Sequence, residues 1–151
     1  MEEIKIRFMN QQDLEAVSEL AMLANPHAEK EAYKKHLFEE LKENPDLSFV
    51  AVTEKGKVVG YVQAETRNLI ATLEDIAVRE EYQGKGIGKK LLLKELEALK
   101  SKGVKVVFAE VHFKCARAIP FYYKFGFRIA GFMQDYFGIG HDAIVLKLQM
   151  E

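Results

Sequence analysis

Between residues 82 and 92 the chain reads YQGKGIGKKLL. Glycines at 84, 86 and 88 free the backbone for tight turns and bare its N–H groups. The apolar spacing that begins at Ile87 predicts a helix whose positive dipole end adds to them. Lys85, Lys89 and Lys90 supply local positive charge. The chemistry open to such a segment is the holding of phosphate oxygens. A helix start loosened by glycine, with solvated lysines around it, is the plainer alternative. Two phosphate motifs fit poorly. The dinucleotide pattern G-x-G-x-x-G belongs after a first strand, whereas here the spacing is G-x-G-x-G deep in the chain; the P-loop needs Ser or Thr after its lysine, and Lys90 is followed by Leu91.

Proton-transfer chemistry has its own candidates. Glu110 shares a predicted strand face with Phe108 and His112. A carboxylate beside apolar groups has a raised pKa, which suits it to accept a proton; a carboxylate leaning to solvent or paired with a lysine is the other reading. His112 is either a proton relay or a packed or solvated side chain, and Glu74 and Asp75 on the preceding strand are fallback bases. Tyr122, between Phe121 and Tyr123, is either an acid or a core aromatic. Cys115 is the single cysteine, so it excludes an internal disulfide and any cysteine-cluster metal site. The four histidines, His27, His36, His112 and His141, lack zinc-protease spacing, and a metal-free protein is expected.

The elements that must position these groups follow from periodicity. Ile4 to Phe8 alternates as a strand, and Leu14, Val17, Leu20, Ala21 and Ala24 continue at helical spacing until Pro26. A second helix runs from about Ala28 to Glu43, with Tyr33, Leu37, Phe38 and Leu41 along one face. Leu47 to Thr53 and Lys57 to Glu65 flank Glu54-Lys55-Gly56 as a hairpin. Leu73 to Val78 is a strand. Ile87, Leu91, Leu92, Leu96 and Leu99 make a long amphipathic helix that stops at Gly103. Val104 to His112 is apolar on both faces and belongs inside a sheet. A shorter helix, about Ala116 to Phe125, and strands near 127–134 and 141–149 complete the order.

The chain has 151 residues, 48% hydrophobic and 30% charged, which predicts one globular domain over 1–151. Twenty-two Lys and Arg stand against 23 Asp and Glu, a net charge of -1, so no global attraction to nucleic acid or anionic lipid is expected and any anion site is local. The MEEIKIRF start has no basic segment followed by a long apolar stretch, and no later run reaches membrane-spanning length. A cytoplasmic protein is expected, with monomer and homodimer both open.

The run Gln83-Gly84-Lys85-Gly86-Ile87-Gly88 matches the Gln/Arg-x-x-Gly-x-Gly/Ala signature of GNAT N-acetyltransferases, at the strand-to-helix turn where that family binds the pyrophosphate of coenzyme A. AIPFYYKFGF, residues 118–127, resembles the family's helix and Gly-Phe strand start, and the likeness spans nearly the whole chain. Within the superfamily the chain is most similar to protein N-terminal acetyltransferases, including those that modify a ribosomal protein's terminal alanine. AEVHFKCARAIPFYYKFGF (109–127), Asp135-Tyr136-Phe137 and the stretch 140–146 carry that likeness.

The resemblance implies an α/β (α+β) fold: a mixed, mostly antiparallel sheet of about seven strands flanked by about four helices. The strands 73–78 and 104–112 would splay apart to hold the coenzyme. It implies acetyl-CoA as cosubstrate and no metal, with contacts from Ile76, Ala77, Val78, Gln83, Gly84, Lys85, Gly86, Ile87, Gly88 and Lys89. Cys115 stands where the family usually has an asparagine that touches the coenzyme, and His141 where close relatives often carry glutamate. Glu110 aligns with the base and Tyr122 with the acid of a direct transfer in a ternary complex. Tyr136 and Phe137 would border the acceptor cleft. The acceptor implied is the α-amine of a protein or peptide. A small amine such as a polyamine, amino sugar or amino acid is the runner-up. A noncatalytic acyl-CoA sensor, the rival from another class, would need neither Glu110 nor Tyr122.

Overall fold

The computed structural model describes residues 2–151. Strand β1 (Ile4–Phe8) is followed by helices α1 (Leu14–Ala24) and α2 (Lys30–Glu43), then by strands β2 (Ser48–Thr53), β3 (Val58–Arg67) and β4 (Ile70–Val78). Helix α3 (Ile87–Ser101), strand β5 (Val106–His112), helix α4 (Ile119–Tyr123) and strands β6 (Arg128–Met133) and β7 (Ala143–Gln149) complete the chain. The strands form one seven-stranded sheet in the order β1-β2-β3-β4-β5-β7-β6. Every neighbouring pair is antiparallel except β4 and β5, which are parallel.

Two differences from the sequence reading have local causes. β3 and β4 run longer than expected because the chain turns at Asn68, held at φ 58, a turn without the glycine that marks the preceding hairpin. The helix expected over 116–125 is a 3-10 stretch, Phe113–Ala118, that passes into α-helix only at Ile119. Pro120 lies in the first turn of α4, where its missing N–H costs nothing.

Helices α1 and α2 cover one face of the sheet, and α3 the other. Val17, Leu20, Ala21, Leu37 and Leu41 pack with Val50, Tyr61 and Ala77 in the first core. Leu91, Leu92 and Leu99 pack with Val62, Leu73, Val107 and Tyr122 in the second. Glu95 lies between Leu91 and Leu99 on the same stripe of α3 and is fully buried, while Leu96, expected there, is only partly buried. Both Glu95 carboxyl oxygens are without a hydrogen-bond partner, and burial pushes its pKa up to about 9.

The feature that matters most for a site is an irregularity in β4. Gln63 pairs with Asp75 and Ala64 with Leu73, which leaves Glu74 as an extra residue in the ladder, a β-bulge. Ala71 and Leu73 face the α3 core, yet Ala77 joins the α1/α2 core and Asp75 bonds to Asn25, just past α1, and to Tyr33 of α2, so the bulge reverses the alternation. The parallel pairing of β4 with β5 ends at the same place, at Leu73 and Ala109. Beyond it β4 stays with β3 and β5 with β7, and the two diverge into a wedge.

Candidate active site

One wall of the wedge is the free edge of β4. The hydrogen bond from Arg79 N–H to Val59 O (2.8 Å) sets the phase of the β3–β4 ladder. In an antiparallel pair bonding residues alternate, so Ala77 turns its backbone to Tyr61 while Ile76 and Val78 turn theirs into the wedge. Of the three residues expected to offer backbone groups to a coenzyme, Ile76 and Val78 keep theirs free of β3, and Ala77 turns its own toward that strand. The Val78 carbonyl accepts a hydrogen bond from Gln83 Nε2 at 2.9 Å, which ties the glycine loop to the end of the strand.

That loop ends in an N–H cluster. Gly84 and Gly86 have φ of 77 and 84, and Gly86 is the N-cap of α3. Only from Lys90, whose N–H reaches Gly86 O at 3.1 Å, does the helical ladder begin. The N–H groups of Ile87, Gly88 and Lys89 thus point outward from the positive end of a 15-residue helix. Gly88 differs from the other two glycines: its φ is ordinary, and a Cβ there would sit 3.4 Å from Phe121. The Lys85 ammonium lies 5.3 Å from the centre of the Tyr82 ring. The cradle fits the diphosphate of coenzyme A, and the wedge below it fits an extended amide-bearing arm.

The opposite wall is β5. Glu110 is the first residue past the last β4–β5 pair. Burial raises its pKa, the Tyr136 hydroxyl, which donates to Oε1 at 3.0 Å, lowers it, and Glu65 raises it. Tyr122 lies 8% exposed on α4, its ring edge-on to Phe121 and Phe127. Its pKa is raised by burial first, then by Asp75 and Cys115. Glu110 and Tyr122 thus have separate neighbours. Cys115 directs its thiol at Ala24 O, 3.7 Å away, and burial raises its pKa.

Asp75, a fallback base in the sequence, is the node of a buried network. Its Oδ2 accepts hydrogen bonds from Asn25 Nδ2 (2.9 Å), Tyr33 OH (2.6 Å) and Tyr61 OH, and burial lifts its pKa to about 6. Glu74, the other fallback, is pushed well up by burial and by Glu65, so it is protonated and unsuited to a base role near neutrality. Carboxylate oxygens of Glu40, Glu65 and Glu74 gather within 4.8 Å of one another beside this end of the wedge.

His112 is 2% exposed, and its Nδ1 accepts the Lys114 N–H at 3.1 Å. Nε2 must then carry the proton, which it donates to His141 Nδ1 at 3.0 Å. Proton relay through His112 would require a proton on Nδ1 and break its bond to the Lys114 N–H, which favours the packed reading. His27 stacks on His112 with ring centres 5.1 Å apart and meets Phe137 at a tilt, 4.6 Å away. Neither this nest nor the Asp75 network was visible in the sequence, because their members lie tens of residues apart and share no spacing. Tyr136 and Phe137 do meet the rest of the site, one at Glu110 and the other in the nest.

Comparison with known proteins agrees with this geometry. Residues 14–127 match the acetyltransferase (GNAT) family. The chain is 30% identical over 158 residues to the N-alpha-acetyltransferase of Sulfurisphaera tokodaii, covering 95% of this chain and 92% of that one. It is 32% identical over 100 residues to the [ribosomal protein bS18]-alanine N-acetyltransferase of Escherichia coli, covering 64% and 68%. The fold superposes on Ard1 from Thermoplasma volcanium with a TM-score of 0.89 at 23% identity, over 98% of each chain.

Proposed function

The chain belongs to the acetyltransferase (GNAT) family, and from that premise we propose that its acceptor is the N-terminal α-amine of a protein or peptide. It is an acetyl-CoA-dependent N-acetyltransferase, so the reading as a noncatalytic sensor falls away. One domain, 1–151, carries the reaction.

The observation that carries the acceptor reading is the position of Glu110, half-buried where β5 leaves β4, with the aromatic pair Tyr136 and Phe137 set against that end of the wedge. The rings confine the first residues of a chain end. Coenzyme A lies with its diphosphate on the amides of 87–89 and its arm along Ile76 and Val78. The amine nitrogen attacks the thioester carbonyl carbon; the C–N bond forms, the C–S bond breaks, and the amine proton passes to Glu110. Tyr122 protonates the departing sulfur. An α-amine with a pKa near 8 is roughly a tenth neutral at pH 7, against well under a hundredth for a lysine amine. A modest base is therefore sufficient. The names of the relatives from S. tokodaii and E. coli support the same acceptor class.

The gathered carboxylates of Glu40, Glu65 and Glu74 favour a second reading, a small amine that carries another positive charge. A panel of peptides with free Ala, Ser or Met termini, blocked peptides with an internal lysine, and spermidine, assayed for coenzyme A release, separates the two. Free-terminus peptides are expected to turn over fastest; faster turnover of spermidine or of the blocked peptides than of every free terminus overturns the α-amine acceptor.

A further inference from the structure

We propose that Tyr136 is a positioning residue for Glu110: its hydroxyl holds Oε1, so that Oε2 is presented to the acceptor amine. The inference rests on the reading of Glu110 as base.

The geometry behind it begins with the loop between β6 and β7, which is braced before any substrate arrives. Phe137 N–H donates to His141 O at 3.0 Å, and His141 N–H to Gly138 O at 2.8 Å. Asp135 Oδ1 accepts from Gly140 N–H (2.7 Å), and Asp142 Oδ1 accepts from Asp135 N–H (2.8 Å). The closed turn is then fastened to the end of β5 twice, by Phe113 N–H on Asp142 O at 3.0 Å and by the directed bond from His112 Nε2–H to His141. Phe137 lies against the rings of His27 and His112. Tyr136 is edge-on to Phe137, and its hydroxyl meets Glu110.

A carboxylate on a glutamate stem sweeps a wide arc unless something holds it. Tyr136 is 47% exposed, so its hydroxyl would be solvated if core packing were its only task. The donor also offsets what surrounds Glu110. Burial and the carboxylate of Glu65 on β3 favour the neutral acid, while a backbone hydrogen bond of Glu110 itself favours the anion; Glu74 on β4, held protonated, adds no charge. The hydroxyl is the group from the β6–β7 loop that favours the anion. Its own pKa is lifted to about 12, by burial first and then by Glu110, so it remains a donor across the working range.

Tyr136→Phe deletes the oxygen and keeps the ring. The carboxyl carbon of Glu110 in 13C-labelled protein, titrated by NMR, is expected to reach its midpoint at higher pH in Tyr136→Phe than in the parent, without any appeal to turnover. The acidic limb of kcat/KM should move up with it, so that the variant loses activity several-fold at the low-pH end, while calorimetry gives an unchanged Kd for coenzyme A. An unmoved Glu110 midpoint overturns the positioning role. Glu110→Gln serves as the separate check on the underlying reading: it should lower turnover roughly 10²- to 10⁴-fold. Wild-type turnover in that variant removes the base and the positioning role together.

Discussion

Glu110 and Glu95 are both glutamates whose pKa burial has raised, and they differ in what they touch. Glu110 has a hydroxyl on one oxygen and an open wedge before it. Glu95 has no hydrogen-bond partner, in the middle of an apolar helix face. The core accepts it only as the neutral acid, with its pKa lifted to about 9 from an ordinary 4.5. The folded state therefore binds this proton more tightly than the unfolded chain does. The stability it contributes is whole below pH 4.5 and is lost as pH climbs through about 9. Glu95→Leu should stabilise the protein by about 1–3 kcal/mol at neutral pH, the usual cost of an unsatisfied buried polar group. It should also flatten the fall in stability between pH 5 and 9. Urea midpoints for both proteins across that range measure it, and a parallel fall in the two would show that another group is responsible.

At the scale of elements, the start of α3 separates two kinds of glycine. Gly86 caps the helix at φ 84 with open space where a side chain would go. The strain of Gly86→Ala is thus conformational, roughly 1–2 kcal/mol. The altered cap would also tilt the outward amides and weaken coenzyme A in calorimetry. Gly88 already has helical geometry, and Gly88→Ala should gain roughly 0.5–1 kcal/mol of helix stability. A lower melting temperature for the first and not for the second is the expected pattern. The motif was legible in the sequence because its three glycines fall at alternate positions of one short run, but their division of labour was not, since φ is no property of a residue's name. The order of strands and helices was legible for a related reason: Leu91 and Leu99, or Val107 and Ala109, declare their period locally. The bound of the parallel pairing at Leu73 and Ala109 and the 3-10 stretch before Pro120 depend on distant partners and on backbone geometry. Pattern alone does not reach them.

For the whole molecule, one sheet serves two cores, and the surplus residue in β4 sits where the strand leaves β5. Counting along the strand, the positions on either side of Glu74 already carry the parity of an unbroken ladder: Leu73 toward α3, Asp75 toward α1 and α2, Ile76 back toward α3. Removing Glu74 would leave every one of those assignments, and the pairing with β3, in place. What would vanish is one residue of slack. With none to spare, β4 is expected to run on beside β5, with Asp75 drawn level with Glu110 and the wedge zipped into ordinary sheet. A protein lacking Glu74 should therefore keep its circular dichroism and its cooperative unfolding, yet give no heat with coenzyme A, whereas Glu74→Ala should still bind it. Undiminished binding by the deletion variant would mean that something other than the bulge opens the sheet. On this view the slot for the coenzyme is a matter of chain length at a single position, and a lineage could acquire or lose it through one codon inserted or deleted, with no change to either core.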